Sequence, residues 1–583
     1  MATLSRAEDW TNPTNLLPAL TSGSPELASA ASWTAALANQ EPATDISVTF
    51  YTYTYEFLAT CDSYISLEVE SKRNDMGTAT LVLKADDPCV QIAMQCTTTV
   101  VPVVIQLNNI RWSGRVNSYS NALNNRLRTC TIELIDDFAW FSRMLVWPNF
   151  ELPIEIQVPS NAVYVGPAIS CVLTMIAEQA FRLQSGIWNF INDPIVSVLS
   201  LPVAWQDFLQ RWNMAGGNLL QYLAAPICVM FQNPIFDTSP WVALTGRMDK
   251  IYDLIKDTLM DYGLALQINL WLPGDPQPGT EALMASMLPL VTELTGPTLV
   301  VTCVDRRGVT GPTGTFIDGL VEDVVDLEHS LLGNTLSPFL NPNNEYYPAN
   351  LGINIAPTLG VNFVPSWVLF NGDDPKFSGL DSFKLTGYHP LAHTVVGGGK
   401  SPKWLDDLIN ATLEFLIDAI EITVGFTGIP DTLLNGTFDD ILLAFQEQIN
   451  YERRLQLGPF GFPEYFMKTG ASAYTLDEWF ALMQGMFDSQ GYTCIQLTWQ
   501  DGRPYEIGRD VFLGGLVSFV LDGLLYTDYV YSFKIKDDRK TRALVEIVVG
   551  DGKREVNPIL RVVRMLTGLE QVVNVVTMSP AGN

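Results

Sequence analysis

Two segments of this 583-residue chain carry the same hydrophobic pattern, 414 residues apart. Region 77–119 aligns with 491–533 without a gap. Apolar residues fall on matching alternate positions: Leu81, Leu83, Val103, Ile105 and Leu107 in the first segment, and Ile495, Leu497, Val517, Phe519 and Leu521 in the second. A period of two predicts strands that bury one face. Because one offset holds across three strands and two turns, we interpret the segments as two copies of one antiparallel β module.

The alignment continues past these strands. Trp112 matches Tyr526, and Val116-x-Ser118 matches Val530-x-Ser532. After one residue is dropped in a hairpin turn, 131–134 aligns with 544–547. Few matched pairs are identities, so two unrelated β-meanders remain the alternative.

The sequence on either side of the first copy predicts two further elements, a strand before it and a helix after it. A strand is predicted from Ile46, where β-branched and aromatic residues line both faces. A short apolar helix is predicted over 138–146, ended by Pro148.

The region between the copies has a mixed pattern. Helical spacing predicts helices over 168–183, 203–223 and 248–262, and apolar runs predict strands over 265–272 and 299–304. Two amphipathic acidic helices are predicted further on, one within 402–421 and one over 439–451, separated by a break at 425–430.

Composition excludes several classes of protein. The chain has 63 acidic and 34 basic residues, a net charge of −29, so it lacks the basic surplus that binds nucleic-acid phosphates or anionic membranes. A hydrophobic fraction of 47% is enough to form buried cores. The eight cysteines form no C-x-x-C pair and are expected to be reduced, mostly buried thiols. The first ten residues do not resemble a signal peptide.

No motif supports a catalytic or metal site. His389 and His393 have the i,i+4 spacing of a zinc helix, but Pro390 occupies the position of the required glutamate. The run 397–401 (Gly-Gly-Gly-Lys-Ser) lacks the first glycine of a phosphate loop, since Thr394 stands there. Acidic pairs are expected to form solvated faces or helix N-termini; they are Asp136-Asp137, Asp406-Asp407 and Asp439-Asp440. We therefore expect no catalytic residue, no cofactor and no metal ligand.

The last third of the chain contains several recognisable motifs. They are 438–446 (FDDILLAFQ), 453–454 (RR) followed by 457–466 (LGPFGFPEYF), 474–477 (YTLD), 491–493 (GYT), 508–510 (GRD) and 550–552 (GDG). With them the chain resembles minor tail proteins of long-tailed actinobacterial, including mycobacterial, phages, in the baseplate-hub or tail-associated group. The resemblance is strongest over 400–555, weaker over 45–150 and absent over 158–360, which we interpret as an inserted region.

The resemblance implies a multidomain α+β fold with two tail-tube-like antiparallel β-barrel or sandwich domains. The expected divisions are an N-terminal arm (1–44), tube-like β domain 1 (45–157), an inserted mixed α/β region (158–360), a linker or β segment (361–400), an amphipathic helical segment (401–466), tube-like β domain 2 (467–555) and a C-terminal tail (556–583).

The resemblance also implies a structural, non-enzymatic role. Hub proteins of this kind are homotrimers at the virion tail tip, made in the bacterial cytoplasm, and their six β domains match a sixfold tail tube to a threefold tip. The implied partners are the distal tail protein, the tape-measure protein, other minor tail proteins and the host envelope. DNA would pass through the lumen without specific binding, repelled by acidic side chains, and the 402–451 helices would gate the channel or pack on the β domains. The alternatives are a cell-wall hydrolase, or a carbohydrate-binding receptor protein acting through 158–360.

Overall fold

The computed structural model describes residues 46–107, 110–124, 127–150, 154, 157, 159–184, 227–231, 233–278, 294, 296–331, 336–345, 352–364, 366, 368–373, 379–396, 447–466, 482, 485–502, 505–538, 544–550, 565 and 568–569. The predicted helices over 203–223 and 402–421 lie outside these residues, as does most of the one over 439–451.

The first β module contains β1 (Ile46–Tyr51), β2 (Phe57–Thr60), β3 (Ser66–Lys72), β4 (Asp75–Lys84), α1 (Pro88–Met94), β5 (Pro102–Leu107), β6 (Ile110–Asn124) and β7 (Leu127–Asp136). Short 3-10 helices follow α1 and β7 at Gln95–Thr97 and Asp137–Ser142. Helix α1 begins at Asp87, whose carboxylate accepts a hydrogen bond from the Cys89 amide, and Pro88 occupies its first turn. Both features favour a helix start at this point.

The middle region contains β8 (Leu145–Val146), β9 (Ala162–Pro167), α2 (Ala168–Gln184), β10 (Ile227–Val229), β11 (Trp241–Gly246), β12 (Asp249–Lys250), α3 (Ile251–Asp261), β13 (Leu264–Trp271), β14 (Thr298–Asp305), β15 (Val309–Thr310), α4 (Ile317–Leu331), α5 (Ser337–Leu340) and β16 (Asn362–Phe363). Two 3-10 helices lie at Pro234–Phe236 and Pro357–Leu359. Helices α2 and α3 and strands β13 and β14 confirm four of the predicted elements.

The second module and its neighbours contain β17 (Leu369–Asn371), β18 (Leu380–Tyr388), β19 (Thr394–Val396), β20 (Glu447–Ile449), α6 (Tyr451–Leu457), a 3-10 helix (Gly458–Phe460), β21 (Glu464–Phe466), β22 (Tyr492–Gln500), β23 (Leu516–Leu521), β24 (Leu524–Asp538) and β25 (Leu544–Val549). Strands β17 and β18 come from the 361–400 segment and pair with β23 and β22.

Two helix predictions are wrong in the described residues. The apolar stretch 138–146 forms a 3-10 helix ending at Ser142 and then strand β8, which pairs with β12. Residues 447–449 form β20, because pairing with β19 overrides the local helical pattern; α6 begins later, capped by the Asn450 side chain.

Strands of both modules join one sheet, in the order β18-β22-β25-β24-β3-β4-β7-β6-β5-β1-β2, with β23 on β24 and β17 on β23. All of these pairs are antiparallel except β17 with β23, which is parallel. Strands β6 and β24 each pair with different neighbours along their two halves. In the first module, β3, β4 and β7 cover one side of a buried core, and β1 and β5 cover the other. The chain is therefore mostly β, with two layers in this module.

The β5–β6 and β23–β24 hairpins have the same register at the predicted spacing of 414. Leu107 faces Ile110 in one, and Leu521 faces Leu524 in the other. Strands β6 and β24 each contain a break in register at the equivalent place. It lies between Val116 and Ser118 in β6 and between Val530 and Ser532 in β24. Such a bulge bends a strand, which here divides its pairing between two sets of neighbours.

In the outer strands, the residues of the two modules that occupy equivalent places differ by two positions from the pairs in the sequence alignment. A row of core residues crosses the first module through Tyr119, Ile132, Leu81 and Leu67. The matching row in the second module is Phe533, Ile547, Leu497 and Phe383. The alignment of Leu81 with Ile495 and of Ile132 with Val545 is therefore wrong. A two-residue slip keeps every side chain on its face, so the hydrophobic pattern does not reveal it.

Candidate functional site

The two modules are joined by strand pairing between β24 and β3. The register runs antiparallel from Ser532 opposite Lys72 to Asp538 opposite Ser66. On the inner face, Val69 and Ile535 are buried in a core that includes residues of both modules. This junction makes the two modules one continuous β structure.

Two ion pairs lie on the outer face at the junction, and one of them crosses it. Lys534 binds Glu68, and this hydrogen bond raises the pKa of the lysine. Lys536 lies 3.1 Å from the carboxylate of Glu546 on the next strand. These side chains are about one-third exposed or more, so each pair contributes at most about 1 kcal/mol and acts mainly on register.

The turn between β3 and β4 connects this junction to the middle region. Asn74 adopts a positive φ of 53° and is buried. Its side-chain amide donates to the Leu264 carbonyl at 2.7 Å and its oxygen accepts from the Leu266 amide at 2.9 Å. One asparagine therefore pairs with β13 as a neighbouring strand would. Tyr252 of α3 adds a 2.9 Å hydrogen bond to Asp75.

A cleft of about 440 Å³ lies beside this turn. It is lined by residues of β3, β6, β13 and the 507–513 loop, together with Asp75, Asp136 and Asp137. The pair Asp136-Asp137 is therefore partly enclosed and not on a solvated face; it lies at a helix N-terminus, the other expected position.

Both aspartates of this pair have shifted pKa values. Burial raises the pKa of Asp136 to about 7, although the Gly77 amide donates to it at 2.7 Å. Burial also raises the pKa of Asp137, which accepts a 2.6 Å hydrogen bond from Ser113 and lies 3.4 Å from Arg115. These contacts fix the carboxylates within the fold at the start of the 3-10 helix after β7. The pairs at 406–407 and 439–440 lie outside the described residues.

The histidine pair does not lie on a helix. The ring of His389 is 2.6 Å from the Pro390 carbonyl, and that of His393 is 2.9 Å from the Thr394 hydroxyl. Each ring thus has its own local partner. The run 397–401 lies outside the described residues.

One cluster in the described part of the chain has atoms close enough to be considered as metal ligands: Cys61, Asp87 and Cys89. Both Asp87 oxygens are already engaged, one by the Cys89 amide and the other by the Ser63 hydroxyl. The hydrogen bond shared with Cys89, together with burial, raises the pKa of Cys61, which disfavours the thiolate. Three ligands also fall short of the four of a structural zinc site, so the cluster fits a capped helix start better.

Six of the eight cysteines are buried, as the composition predicts. Among the described helices, none has the length and apolarity to cross a bilayer.

The outer face of the junction extends across both modules. It is formed by β3, β4, β7, β18, β22, β25 and the parts of β6 and β24 beyond their bulges, at the positions that alternate with the core. Its charged residues are Glu68, Glu70, Glu133, Asp538 and Glu546 against Lys72, Lys84, Lys384, Lys534 and Lys536. Positive and negative side chains balance, so the surplus of −29 does not lie on this face.

Sequence reasoning missed Asn74 and the junction. An asparagine between two predicted strands reads as an ordinary turn residue. The partner strands β3 and β24 lie more than 450 residues apart, and no local pattern encodes that contact.

Comparison with known proteins agrees with the motif resemblance. Minor tail protein Gp28 of Mycobacterium phage D29 is 21% identical over 543 residues, covering 83% of this chain and 87% of the relative. Gp28 of Mycobacterium phage L5 is 21% identical over 548 residues, with the same coverage. The resemblance to minor tail proteins of mycobacterial phages is thereby confirmed.

Solved tail proteins are also similar. The 43 kDa tail protein of prophage MuSo2 from Shewanella oneidensis matches at 9% identity and a TM-score of 0.37, covering 88% of this chain and 99% of that one. Prophage tail protein gp18 from Listeria monocytogenes matches at 10% identity and a TM-score of 0.34, covering 91% and 99%.

The family comparison spans nearly the whole of both modules and the region between them. The family model described as Siphovirus ReqiPepy6 Gp37-like protein matches residues 47–551. This range includes 158–360, where motifs showed no resemblance. The chain belongs to the Siphovirus ReqiPepy6 Gp37-like family.

Proposed function

We propose that this chain is a structural minor tail protein that forms a trimeric hub at the phage tail tip. Family membership over 47–551 and relatives named minor tail proteins support the tail role. The observation that carries the trimer is the presence of two similarly paired β modules in one chain, with hairpins of identical register. Three chains then present six modules, which match a sixfold tube above and a threefold tip below.

In this assembly the outer face described above lines the bore. Its lysines are paired with glutamates, as in Lys534 with Glu68 and Lys536 with Glu546, and its remaining positions are rich in hydroxyl and amide side chains. The hypothesis of an acidic, repelling bore is replaced by a charge-balanced one. DNA slides through because no uncompensated positive surface releases counterions from its phosphates.

The hub contacts the distal tail protein, the tape-measure protein and other minor tail proteins, and it gates their passage and that of DNA into the host. Acidic residues that do not lie on the bore face are available for these contacts and for the host envelope. The 401–446 part of the proposed gate lies outside the described residues.

The mass of the purified full-length chain tests the trimer. Native mass spectrometry is expected to give a species of three times 64.6 kDa. A species of one chain at micromolar concentration would contradict the proposal. Gel-shift titration with duplex DNA at low salt tests the balanced bore, for which no binding at micromolar protein is expected.

A further inference from the structure

The junction within the chain shows which strand edges pair when two modules lie side by side. Strand β24 pairs with β25 on one edge from Val530 to Lys536, and it accepts β3 over Ser532–Asp538. Strand β6 is the counterpart of β24, with the same hairpin and the same bulge. Its corresponding segment is 118–124. Among the residues that the structure describes, this segment pairs only with β7.

The counterpart of β3 is likewise open on one edge. Strand β3 pairs with β4, and β18 pairs with β22, at matching positions: Leu67 is opposite Leu81, and Phe383 is opposite Leu497. In the described sheet, β3 has β24 on its second side, whereas β18 is the last strand. Among the described residues, the sheet thus presents the two halves of a second junction, one on β6 and one on β18.

We propose that β18 of a second copy of this chain pairs antiparallel with the 118–124 segment of β6, repeating the β3–β24 junction between chains. Transferring the intrachain register places Ser118 opposite Tyr388, Ser120 opposite Thr386 and Asn124 opposite Ser382. This inference rests on the proposed trimer and specifies the contact that closes it.

The uncharged edge of β6 and the apolar side chains that the transferred register brings together fit this occupant. Segment 118–124 (SYSNALN) carries no charge, unlike exposed edge strands that are protected against pairing by charged residues. Leu123 is 70% exposed and Phe383 is 36% exposed, and the transferred register puts them opposite each other on the core side of the sheet. Tyr119 and Leu385, which already pack against the core, would then extend it across the boundary.

The contact is head-to-tail, because one edge of each chain meets a different edge of the next. Such an interface forms a ring when the rotation between copies closes, and an open filament otherwise. Three chains with alternating intrachain and interchain junctions give a ring of six modules in which every bore-lining sheet is continuous.

Disulfide trapping in the full-length chain tests the pairing. All variants carry Cys494→Ser, because native Cys494 lies directly opposite Thr386 on β22 and would form an intrachain disulfide with a cysteine there. The double variant Ser120→Cys/Thr386→Cys then places thiols on directly opposed positions of the outer face. The control Ser120→Cys/Ser382→Cys displaces one thiol by four residues, about 14 Å along the strand. The single variants, also in the Cys494→Ser background, measure crosslinking through the remaining native cysteines, of which Cys96 is only partly buried.

On mild oxidation, the first double variant is expected to give covalent dimers and trimers at more than ten times the background of the single variants. The displaced pair is expected to stay at background. A trimeric native mass with equal crosslinking in the two double variants would overturn the pairing and leave the trimer standing. A monomeric native mass would overturn both.

Hydrogen exchange of the unmodified protein provides a readout that needs no substitution. Amides of 118–124 and 380–388 are expected to become protected together as the chain assembles from low to high concentration. Exchange in both segments that is unchanged by assembly would overturn the pairing.

Discussion

The two β modules share their strand arrangement and differ in what lies beside it. In the first, β1 adds to β5 as a six-residue antiparallel strand; in the second, the short β17 adds to β23 in parallel. The far half of β24 is covered by β3, whereas the matching half of β6 is uncovered in the described chain. The shared strands thus define a module, and the strands beside them differ between the two modules.

The largest effect is expected from placing a charge on the uncovered edge. Leu123→Lys puts an ammonium group into the proposed apolar contact with Phe383, so the concentration for half-assembly should rise at least about tenfold, equal to about 1.4 kcal/mol. Analytical ultracentrifugation measures this change. Leu524→Lys is the matched control, because this 59% exposed leucine lies at a hairpin end away from the edge.

The contact itself can be tested by rescue. Adding Phe383→Glu to Leu123→Lys places opposite charges face to face and should restore part of the assembly. Equal assembly of the single variant, the double variant and the wild type would show that this edge is not an interface.

The next effect concerns the turn that joins the junction to the middle region. Asn74→Ala removes two hydrogen bonds to β13 and leaves two buried backbone groups unpaired, so the free energy of unfolding should fall by about 2–4 kcal/mol. Urea unfolding measures the loss. Asn344→Ala is the control, because Asn344 also has a positive φ, of 50°, but is exposed. Similar losses in both variants would attribute the effect to backbone conformation.

A smaller, pH-dependent effect is expected at Asp136. Its pKa in the folded chain is about 7, above the ordinary value of 3.8. A raised carboxyl pKa favours the protonated form in the folded state, so its stabilising contribution is complete below about pH 4 and is lost as the pH rises through 7. Asp136→Asn should therefore be more stable than the wild type above pH 7, by about 1–2 kcal/mol, and similar to it near pH 4.

Thermal unfolding between pH 4 and 8 measures this difference. Asp253→Asn is the control, because it removes a carboxylate from the exposed face of α3. An Asp136→Asn variant with the wild-type pH dependence would refute the role given to this carboxyl.

The smallest effect is expected for the ion pair at the intrachain junction. A double-mutant cycle with Lys534→Met and Glu68→Gln should give a coupling of about 0.5 kcal/mol that weakens in 1 M salt. Urea unfolding of the four proteins measures the coupling. A value above about 2 kcal/mol would mean that this junction depends on charge more than on backbone pairing and buried side chains.

The sequence predicted the elements whose pattern is local. The hairpins of both modules follow from alternating residues such as Val103, Ile105 and Leu107, and α2 follows from its helical spacing. The assignment of 361–400 to a linker or β segment did not anticipate that β18 forms the end strand of the large sheet.

What the sequence did not provide is which strands become neighbours. The slip of two residues at Leu81 and Ile132 preserves parity, so hydrophobic alternation fits both registers. The hydrogen bonding of the Asn74 side chain to the backbone of β13 depends on residues 190 positions away. Even so, the uncharged run 118–124 was visible in the sequence and marks a sheet edge that lacks protection against pairing.

An electron cryomicroscopy reconstruction of the assembled full-length chain, computed without imposed symmetry, tests the central claim most directly. We predict a threefold particle whose bore is lined by six β modules, with β18 of each chain lying against 118–124 of the next. A particle with a different number of modules around the bore, or with these two edges exposed to solvent, would contradict the account.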